Sequence, residues 1–380
     1  MKNSTLIIVL VLISMLIISC EKDTDPYSKI VTDNPLKLHI DSLVHNTFKD
    51  YAIKIETAGF SIAVIDGSQI NYYNYGETKK GNKILPDENT LYEIGSITKT
   101  VTAAALLYWL NQNLIDINTA IKTYLPQNLS TNLRLNGVDI TFKHLLNHTS
   151  GMPMYPNDIP PISDLVTDYD STKIYNYISS HPLLRTPGIT PTTKQEATAF
   201  YSTFAYGLAG IILERQIKQP LQNIYQNTIF QSLQITLTTL NKIENITNRA
   251  YPHNSSGPIT YSDLSGFAGG GNLRSNLTDL VKYVQAQINA SNTNSLGQAI
   301  LQSQNPTIQI DLQDYYALGW EFYYTTSNKK LIFKGGTTPG FTAIITFDKN
   351  SEKAIIGLFN NYSSNRPGTT FFILVNEYFK

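Results

Sequence analysis

The sequence contains a single cysteine, Cys20, among its 380 residues. A disulfide within the chain needs two thiols, and a structural zinc site built from thiolates needs more than one, so both are excluded. The chain has no excess of positive or negative charge, since 29 lysines and arginines balance 29 aspartates and glutamates. A protein without a net positive charge does not attract the phosphate backbone of a nucleic acid strongly. We therefore do not expect nucleic acid as a partner.

Long hydrophobic runs are scarce too, and the run at the N-terminus extends only from Leu6 to Ile18. A helix of ~13 residues covers ~20 Å, which falls short of a hydrocarbon core of ~30 Å. A lysine precedes the run, as a positive charge precedes the apolar part of a secretory signal peptide. The run ends in Ile-Ser-Cys, which resembles the lipobox of bacterial lipoproteins, whose cysteine is lipidated. We therefore predict a signal peptide over residues 1–19, a lipidated Cys20 that opens a polar tether over residues 20–34, and a lipid-anchored protein of the bacterial cell envelope, periplasmic or surface-exposed.

Several common functional signatures are missing from the chain. There is no internal repeat, no glycine-rich nucleotide-binding signature and no Gly-x-Ser-x-Gly elbow, which removes the α/β-hydrolase fold from consideration. His144 and His148 stand four residues apart, as zinc-binding histidines on a helix do, but HLLNH lacks the glutamate of that motif. We therefore predict no metal and no cofactor, and we interpret both histidines as structural.

The apolar residues of the remaining chain change their period twice. An amphipathic helix is predicted from Leu36 to about Tyr51, and GFSIAVIDGSQINYYNYG alternates on both sides of Asp66 and Gly67, which predicts a hairpin. Helical spacing then dominates until strand-like runs, among them ALGWEFYY, return from Tyr315, and TTFFILVNEYFK closes the chain with a predicted helix. We therefore predict one α+β domain over residues 35–380, an α/β sandwich whose antiparallel sheet comes from about 58–92 and 315–362, flanked by helices, with a mainly helical lobe of about 96–300 inserted.

A serine followed three residues later by a lysine occurs at Ser19, Ser96 and Ser327. The first pair spans the predicted cleavage point, and the third lies in the polar turn SNKK, where neither side chain would be held. Only Ser96 and Lys99, in LYEIGSITKT, open an apolar-patterned helix, where residues i and i+3 share a face. The simplest interpretation is a helix cap. The alternative is that Ser96 is a nucleophile and that Lys99 activates it.

The chemistry of a serine nucleophile sets conditions on its neighbours. A serine hydroxyl reacts poorly until a base takes its proton. A lysine can act as that base when burial or a second cation disfavours its charged form. The backbone N–H of Ser96, at the positive end of the predicted helix, can also stabilise an oxyanion. A nucleophilic Ser96 therefore requires further groups from other parts of the chain, above all a second cation near Lys99.

Five blocks follow one another along the chain, namely LYEIGSITKT, LIDINTAIKTYLP, ITFKHLLNHTSGMP, FAGGGNLRSNLTDL and FKGGTTPGF. In this order they closely resemble the penicillin-recognising serine hydrolases, the family that groups class C β-lactamases, DD-carboxypeptidases and related esterases. The resemblance covers nearly the whole chain after residue 55. Five ordered blocks are far more specific than any one of them. The resemblance implies acyl-enzyme chemistry, with Ser96 and Lys99 as the Ser-x-x-Lys element of the family.

The resemblance also implies a catalytic role for Tyr201, because the Tyr-x-Asn element of the family falls on Tyr201, Ser202 and Thr203. Thr203 departs from the pattern: threonine has one short hydroxyl, whereas the planar amide of asparagine both donates and accepts. Pro187 and Gly188 also stand further upstream than is usual in the family. Thr203 is assigned to substrate binding, and its identity casts doubt on β-lactam turnover more than on hydrolysis itself. With 24 tyrosines in the chain, a structural role for Tyr201 stays open.

The third element of the family, Lys/His-x-Gly, falls on Lys334 to Gly336. The resemblance implies that Lys334 is a second cation near Lys99 and Tyr201, that it lowers both pKa values, and that it can attract a substrate carboxylate. A glycine at position 336 lets a substrate backbone approach the strand. The N–H of Thr337 is the implied second donor to the oxyanion.

Together these observations predict a serine hydrolase that works through an acyl-enzyme on Ser96. The predicted substrate is a small peptide, a β-lactam or an ester, and the leading hypothesis is a hydrolase of peptides or amides that resembles the D-Ala-D-Ala carboxypeptidases. Two alternatives stay open. One is an esterase or D-aminopeptidase on the same scaffold, and the other is a penicillin-binding lipoprotein without catalysis.

Overall fold

The computed structural model describes residues 26–54, 56–159, 169–310, 315–362 and 367–380. The predicted signal peptide, Cys20 and the first residues of the predicted tether lie outside this part of the chain. Within the described ranges, no helix combines the length and the hydrophobicity that a membrane crossing requires.

The described residues form eleven α-helices. They are α1 (His39–Ala52), α2 (Thr98–Gln112), α3 (Phe142–Leu146), α4 (Ser171–Ser180), α5 (Lys194–Phe200), α6 (Thr203–Ile217), α7 (Leu221–Tyr225), α8 (Ala268–Gly271), α9 (Leu277–Ile288), α10 (Ser295–Gln304) and α11 (Pro367–Tyr378). Short 3-10 turns cover Pro26–Lys29, Gly95–Ile97, Ile121–Tyr124, Gln127–Leu129 and Ser265–Phe267, and a π-helical turn covers Gln226–Phe230.

The strands fall into one large sheet and three small ribbons. They are β1 (Gly59–Asp66), β2 (Gln69–Gly76), β3 (Tyr92–Glu93), β4 (Arg134–Leu135), β5 (Val138–Asp139), β6 (His253–Asn254), β7 (Gly257–Pro258), β8 (Arg274–Ser275), β9 (Ile308–Gln309), β10 (Tyr315–Tyr316), β11 (Glu321–Tyr324), β12 (Lys330–Thr338), β13 (Phe341–Asp348) and β14 (Lys353–Phe359). The large sheet has the order β2-β1-β14-β13-β12-β11-β10-β9, and the ribbons pair β3 with β8, β4 with β5 and β6 with β7.

The large sheet joins the two ends of the chain. All its neighbouring strands are antiparallel, and β1 from the N-terminal part pairs with β14 from the C-terminal part, with Phe60 opposite Phe359. The residues between these segments form mostly helices. The predicted α+β architecture, a sheet from both ends with a helical lobe between them, is therefore confirmed.

Helices cover both faces of the sheet, and the alternation of side chains along β1 shows this directly. Phe60, Ile62 and Val64 belong to a buried cluster with residues of α1 and α11, whereas Ala63 and Ile65 belong to the larger core shared with the helical lobe. Successive side chains of a strand point to opposite faces, so a strand covered on both sides is apolar throughout. The predicted N-terminal and C-terminal helices thus form one outer layer of the sandwich.

The stretch ALGWEFYY is not one strand, as predicted, but the second half of a tight hairpin. Tyr316 pairs with Glu321, and the N–H of Ala317 donates to the carbonyl of Trp320 at 2.9 Å. Gly319 adopts a φ of 94°, a left-handed conformation that side-chain-bearing residues rarely adopt. The strand β11 therefore starts only at Glu321.

The sheet also differs from its predicted bounds. The N-terminal part of the sheet was predicted to end at about residue 92, but Tyr92 and Glu93 form β3 and pair with Ser275 and Arg274 of β8. The Glu93 carboxylate lies 3.8 Å from the Arg274 guanidinium, and both side chains are buried. Because a buried charge needs a partner, this pair ties the segment before Ser96 to the helical lobe, while the Tyr92 hydroxyl forms a hydrogen bond with Ser61 of β1. At the other end, β9 extends the sheet to residues before Tyr315.

Candidate active site

Ser96 lies where the sheet meets the helical lobe. It occupies the 3-10 turn Gly95–Ile97, which continues directly into α2. The Lys99 Nζ donates hydrogen bonds to Ser96 Oγ at 3.0 Å and to Thr203 Oγ1 at 3.2 Å. A third bond goes to the carbonyl of Gly270 at 2.5 Å, and the Lys99 side chain has no solvent exposure. Three acceptors thus hold the buried amine in a fixed position beside the Ser96 hydroxyl.

The turn that carries Ser96 packs backbone to backbone against β12. A Cβ atom added to Gly95 would lie 2.7 Å from the Thr337 nitrogen, and one added to Gly336 would lie 2.0 Å from the Ile94 carbonyl oxygen and 2.7 Å from the Ser96 nitrogen. Only glycine permits so close an approach. The two glycines therefore bring the backbone amides of Ser96 and Thr337, the two predicted oxyanion donors, to the same junction.

Tyr201 stands between the two lysines. It follows the last residue of α5 and comes just before α6. Its ring centroid lies 4.8 Å from the Lys99 Nζ and 5.0 Å from the Lys334 Nζ. Its phenol also interacts electrostatically with both ammonium groups. A serine, two amines and a phenol are thus gathered within one small volume.

Lys334 is paired with a carboxylate that the sequence analysis did not identify. Its Nζ lies 2.6 Å from Oε1 of Glu321, on the adjacent strand β11, and its own side chain is only 1 % exposed. Glu321 is the first residue of β11 and pairs with Phe333, the residue directly before Lys334. The positive charge of Lys334 is therefore balanced within the protein. Glu321 stands out in the sequence only as a charged residue within the apolar run ALGWEFYY, and the cation that it contacts depends on the pairing of β11 with β12.

The electrostatics of the site favour proton transfer. Burial, assisted by the charge of Lys334, lowers the pKa of the Lys99 amine to about 8, although the Tyr201 phenol opposes this shift. For Tyr201, burial raises the pKa of the phenol, but Lys334 and Lys99 outweigh it and the pKa falls below its ordinary value. For Lys334, burial is outweighed by Glu321 and Tyr201, so the pKa is raised and the ammonium stays charged. The Lys334 ammonium thus stays charged, while Lys99 and Tyr201 exchange protons more easily than they would in water.

The two histidines of HLLNH lie in different surroundings. The Nδ1 of His144 accepts a hydrogen bond from the Thr141 N–H at the start of α3. The ring of His148 instead packs on the ring of Tyr201, with centroids 4.1 Å apart, and its Nδ1 accepts a hydrogen bond from the Ser202 N–H at 3.1 Å. In the part of the chain that the structure describes, no three or more histidine, cysteine, aspartate and glutamate residues gather as a metal site would require.

A hollow of about 690 Å³ opens onto the serine. Its polar lining residues include Ser96, Tyr201 and Glu321. Its apolar lining residues include Phe333, Ile344, Pro367 and Phe372. The volume is in the range of small-molecule sites, and its mixed lining suits a ligand with one polar reacting group.

The structure brings together all the residues predicted for the site. Ser96, Tyr201, Gly336 and Thr337 line the hollow, and Lys99, Thr203 and Lys334 lie directly behind or beside them. Thr203 is only 3 % exposed, and its hydroxyl contacts Lys99. The sequence analysis missed Glu321 and His148 as members of this cluster, as well as the carbonyl of Gly270. Cys20, the predicted lipidation site, lies outside the described residues.

The sequence of the chain is similar to those of known proteins. The sequence model of the family described as Beta-lactamase matches residues 44–376. A β-lactamase of Yersinia enterocolitica is 26 % identical over 309 residues, which cover 79 % of this chain and 74 % of that protein. The D-alanyl-D-alanine-carboxypeptidase/endopeptidase AmpH of Escherichia coli K12 is 27 % identical over 181 residues, 48 % of this chain and 45 % of the relative.

The fold comparison agrees with the sequence comparison. The crystal structure of a β-lactamase/D-alanine carboxypeptidase from Pseudomonas syringae is similar with a TM-score of 0.75 and 22 % identity, and the match covers 89 % of this chain and 98 % of that one. The fold and the relatives define a serine hydrolase related to the β-lactamases. The chain belongs to the Beta-lactamase family, and the predicted resemblance is confirmed.

Proposed function

We propose that Ser96 is the nucleophile of a hydrolase that cleaves small peptide or amide substrates through an acyl-enzyme, as the D-Ala-D-Ala carboxypeptidases do. The observation that carries the proposal is the 3.0 Å hydrogen bond between the Lys99 amine and the Ser96 hydroxyl. The amine is buried and its pKa is lowered to about 8, so a neutral form is accessible near neutral pH. The names of the relatives support the substrate class.

The proposed reaction balances with the groups of the chain. The Ser96 oxygen bonds to the substrate carbonyl carbon while its proton passes to the pair formed by Lys99 and Tyr201. The backbone N–H groups of Ser96 and Thr337 stabilise the tetrahedral oxyanion. The leaving amine then takes the proton from the pair as the C–N bond breaks. In the second half-reaction water attacks the acyl carbon and gives a proton to the pair. The bond between that carbon and the Ser96 oxygen then breaks, the acid product leaves, and the pair passes the proton to the Ser96 oxygen. Because the two groups are coupled, we assign the proton to the pair.

A second candidate, ester hydrolysis on the same site, is favoured by one observation. Thr203 stands where the family has asparagine, and its single hydroxyl is engaged with Lys99 at 3.2 Å. An amide substrate that normally receives a hydrogen bond from asparagine loses that partner here. Ester cleavage depends less on it because an ester has a better leaving group. A comparison of a D-Ala-D-Ala peptide, nitrocefin and a short p-nitrophenyl ester separates the two candidates.

Labelling of the serine tests the shared chemistry. A fluorophosphonate and a fluorescent penicillin are expected to label the wild-type protein and to leave Ser96→Ala unlabelled. Ser327→Ala is the matched control, because this serine also precedes a lysine by three residues but bonds to Thr325 in a turn. Intact-mass analysis after a single turnover shows whether the acyl group leaves. An adduct that never leaves would support a binding protein without turnover, and equal labelling of Ser96→Ala would remove Ser96 from its role.

We also propose that the protein is lipid-anchored in the bacterial cell envelope through Cys20. The support is the sequence alone: an apolar leader that ends in Ile-Ser-Cys, followed by the polar stretch before α1. Metabolic labelling with a fatty acid and partition into detergent are expected for the wild-type protein. Cys20→Ser is expected to abolish both. Fatty-acid labelling that survives this substitution would contradict the proposal.

A further inference from the structure

His148 lies outside the predicted machinery but packs directly on one of its members, Tyr201. Its ring centroid lies 4.1 Å from that of Tyr201, with the planes tilted by 30°. The rings of Tyr206 and Tyr316 lie at 5.3 and 5.7 Å, so three tyrosines surround the imidazole. The side chain is only 5 % exposed. Packing on this scale restricts both the imidazole and the phenol that it touches.

The backbone around His148 is also specialised. Its φ is 64°, in the left-handed region that residues with side chains seldom adopt. Its Nδ1 accepts a hydrogen bond from the N–H of Ser202, the residue directly after Tyr201. The Ser202 side chain then caps α6, since its Oγ accepts a hydrogen bond from the Ala205 N–H at 3.0 Å. His148 thus holds the backbone after Tyr201 and the ring of Tyr201 at the same time.

The protonation state of His148 suits this contact. The groups that face it are two ammonium groups and three phenols: Lys99, Lys334, Tyr201, Tyr206 and Tyr316. Burial, followed by the charges of Lys334 and Lys99, holds its pKa well below the ordinary value. The imidazole is therefore neutral, and a neutral Nδ1 without a proton can accept the hydrogen bond that Ser202 donates. A protonated ring would lose this bond and add a third cation to the site.

We propose that His148 is a positioning residue for Tyr201, which holds the phenol between the Lys99 and Lys334 amines by a ring contact on one side and a hydrogen bond to Ser202 on the other. The inference rests on the proposed function, because it assigns His148 an effect on proton transfer through Tyr201. It differs from a purely structural role, which would affect folding but not the chemistry of folded protein.

The two contacts can be removed separately. His148→Asn keeps an acceptor near the position of Nδ1 and tolerates the left-handed backbone, but it lacks the ring. His148→Phe keeps a ring but cannot accept from Ser202. His144→Asn is the matched control, since it makes the same substitution four residues earlier in the HLLNH block and away from Tyr201. The full chain is used, with a p-nitrophenyl ester as the probe and thermal unfolding as the measure of folded protein.

The two His148 variants are expected to lose at least about tenfold in kcat per folded molecule, with KM within about threefold of the wild type. The limb of kcat that rises with pH is expected to shift from its wild-type position, because a displaced phenol loses the effect of the two amines on its own pKa and its own effect on the pKa of Lys99. His144→Asn is expected to keep the wild-type kcat and profile. Folded His148→Asn with the wild-type kcat and pH profile would overturn the inference. If Ser96 of the wild type is not acylated, the proposed function fails and the inference about His148 fails with it. If the wild type is acylated and the His148 variants behave like it, only the inference fails. The two failures are therefore distinguishable.

Discussion

The Lys334 ammonium lies 2.6 Å from a carboxylate oxygen of Glu321, across the junction of two neighbouring strands. Its Nζ is at the same time 5.0 Å from the ring centroid of Tyr201. A cation placed between a carboxylate and an ionisable phenol acts on both, because Coulomb interactions strengthen where water is excluded. The pair therefore has consequences for the pH dependence of the reaction and for the stability of the fold.

The first prediction concerns pH. A Lys99 amine accepts a proton only when it is neutral, so kcat/KM of the wild type is expected to rise as the pH passes through about 8. Lys334→Gln removes a charge that lowers the pKa values of Lys99 and Tyr201, so both pKa values rise and the limb moves to higher pH. At neutral pH, kcat/KM is expected to fall by about 100-fold. Lys330→Gln, on the same strand but exposed, is the control, and a limb unchanged in Lys334→Gln would contradict the prediction.

The second prediction concerns stability. Glu321→Gln leaves the buried Lys334 ammonium without its counter-charge and is expected to lower the free energy of unfolding by about 1–3 kcal/mol, less than for a fully buried pair because Glu321 is 26 % exposed. The double variant with Lys334→Met is expected to recover part of this loss. Asp66→Asn breaks the exposed pair with Lys353 and is expected to cost at most about 0.5 kcal/mol. Urea unfolding measures the wild type, these three variants and the Lys334→Met single variant, and additive losses in the double variant would show that the pair is not coupled.

The third prediction concerns the junction of Gly95 and β12. Gly336→Ala places a methyl group 2.0 Å from the Ile94 carbonyl oxygen, so the strand has to move away from the Ser96 turn. Separating the two amides that face the oxyanion is expected to lower kcat by about 100-fold or more. Gly335→Ala is a matched control one residue away, because its methyl group would contact only the Phe333 ring at 3.5 Å. Steady-state kinetics with a small ester compares the two variants, and equal kcat values would argue against an oxyanion site at this junction.

The fourth prediction concerns Thr203. Thr203→Asn restores the planar amide of the family and is expected to raise kcat/KM for nitrocefin by about tenfold relative to that for a p-nitrophenyl ester. Thr203→Val keeps the shape but removes the hydroxyl that accepts from Lys99, so it is expected to lower turnover of both substrates. The ratio of the two kcat/KM values is the measurement. A ratio that does not change in Thr203→Asn would show that position 203 does not select between these substrates.

Much of the fold could be predicted from local sequence pattern. The hairpin around Gly67, the helix after Ser96 and the strand that contains Lys334 were all predicted from the spacing of apolar residues and are present in the structure. Period and turn residues are local properties, so they can be recognised before any tertiary contact is known. The errors occurred where tertiary contacts overrode pattern, as in β3, which pairs with β8 beside the ion pair of Glu93 and Arg274.

The sequence by itself determined the residue types of the proposed chemistry, their order, and the class of the fold, because motifs and hydrophobic periods are written along one dimension. Only the tertiary structure decided which charges meet. Glu321 lies 13 positions before Lys334 and His148 lies 53 before Tyr201, yet each pair is in contact. The pairing of β11 with β12 places Glu321 opposite the residue before Lys334, and the packing of the segment around Tyr201 against the segment after α3 produces the second contact. Electrostatic energies depend on such distances and on burial, and neither is encoded in any single segment of the chain.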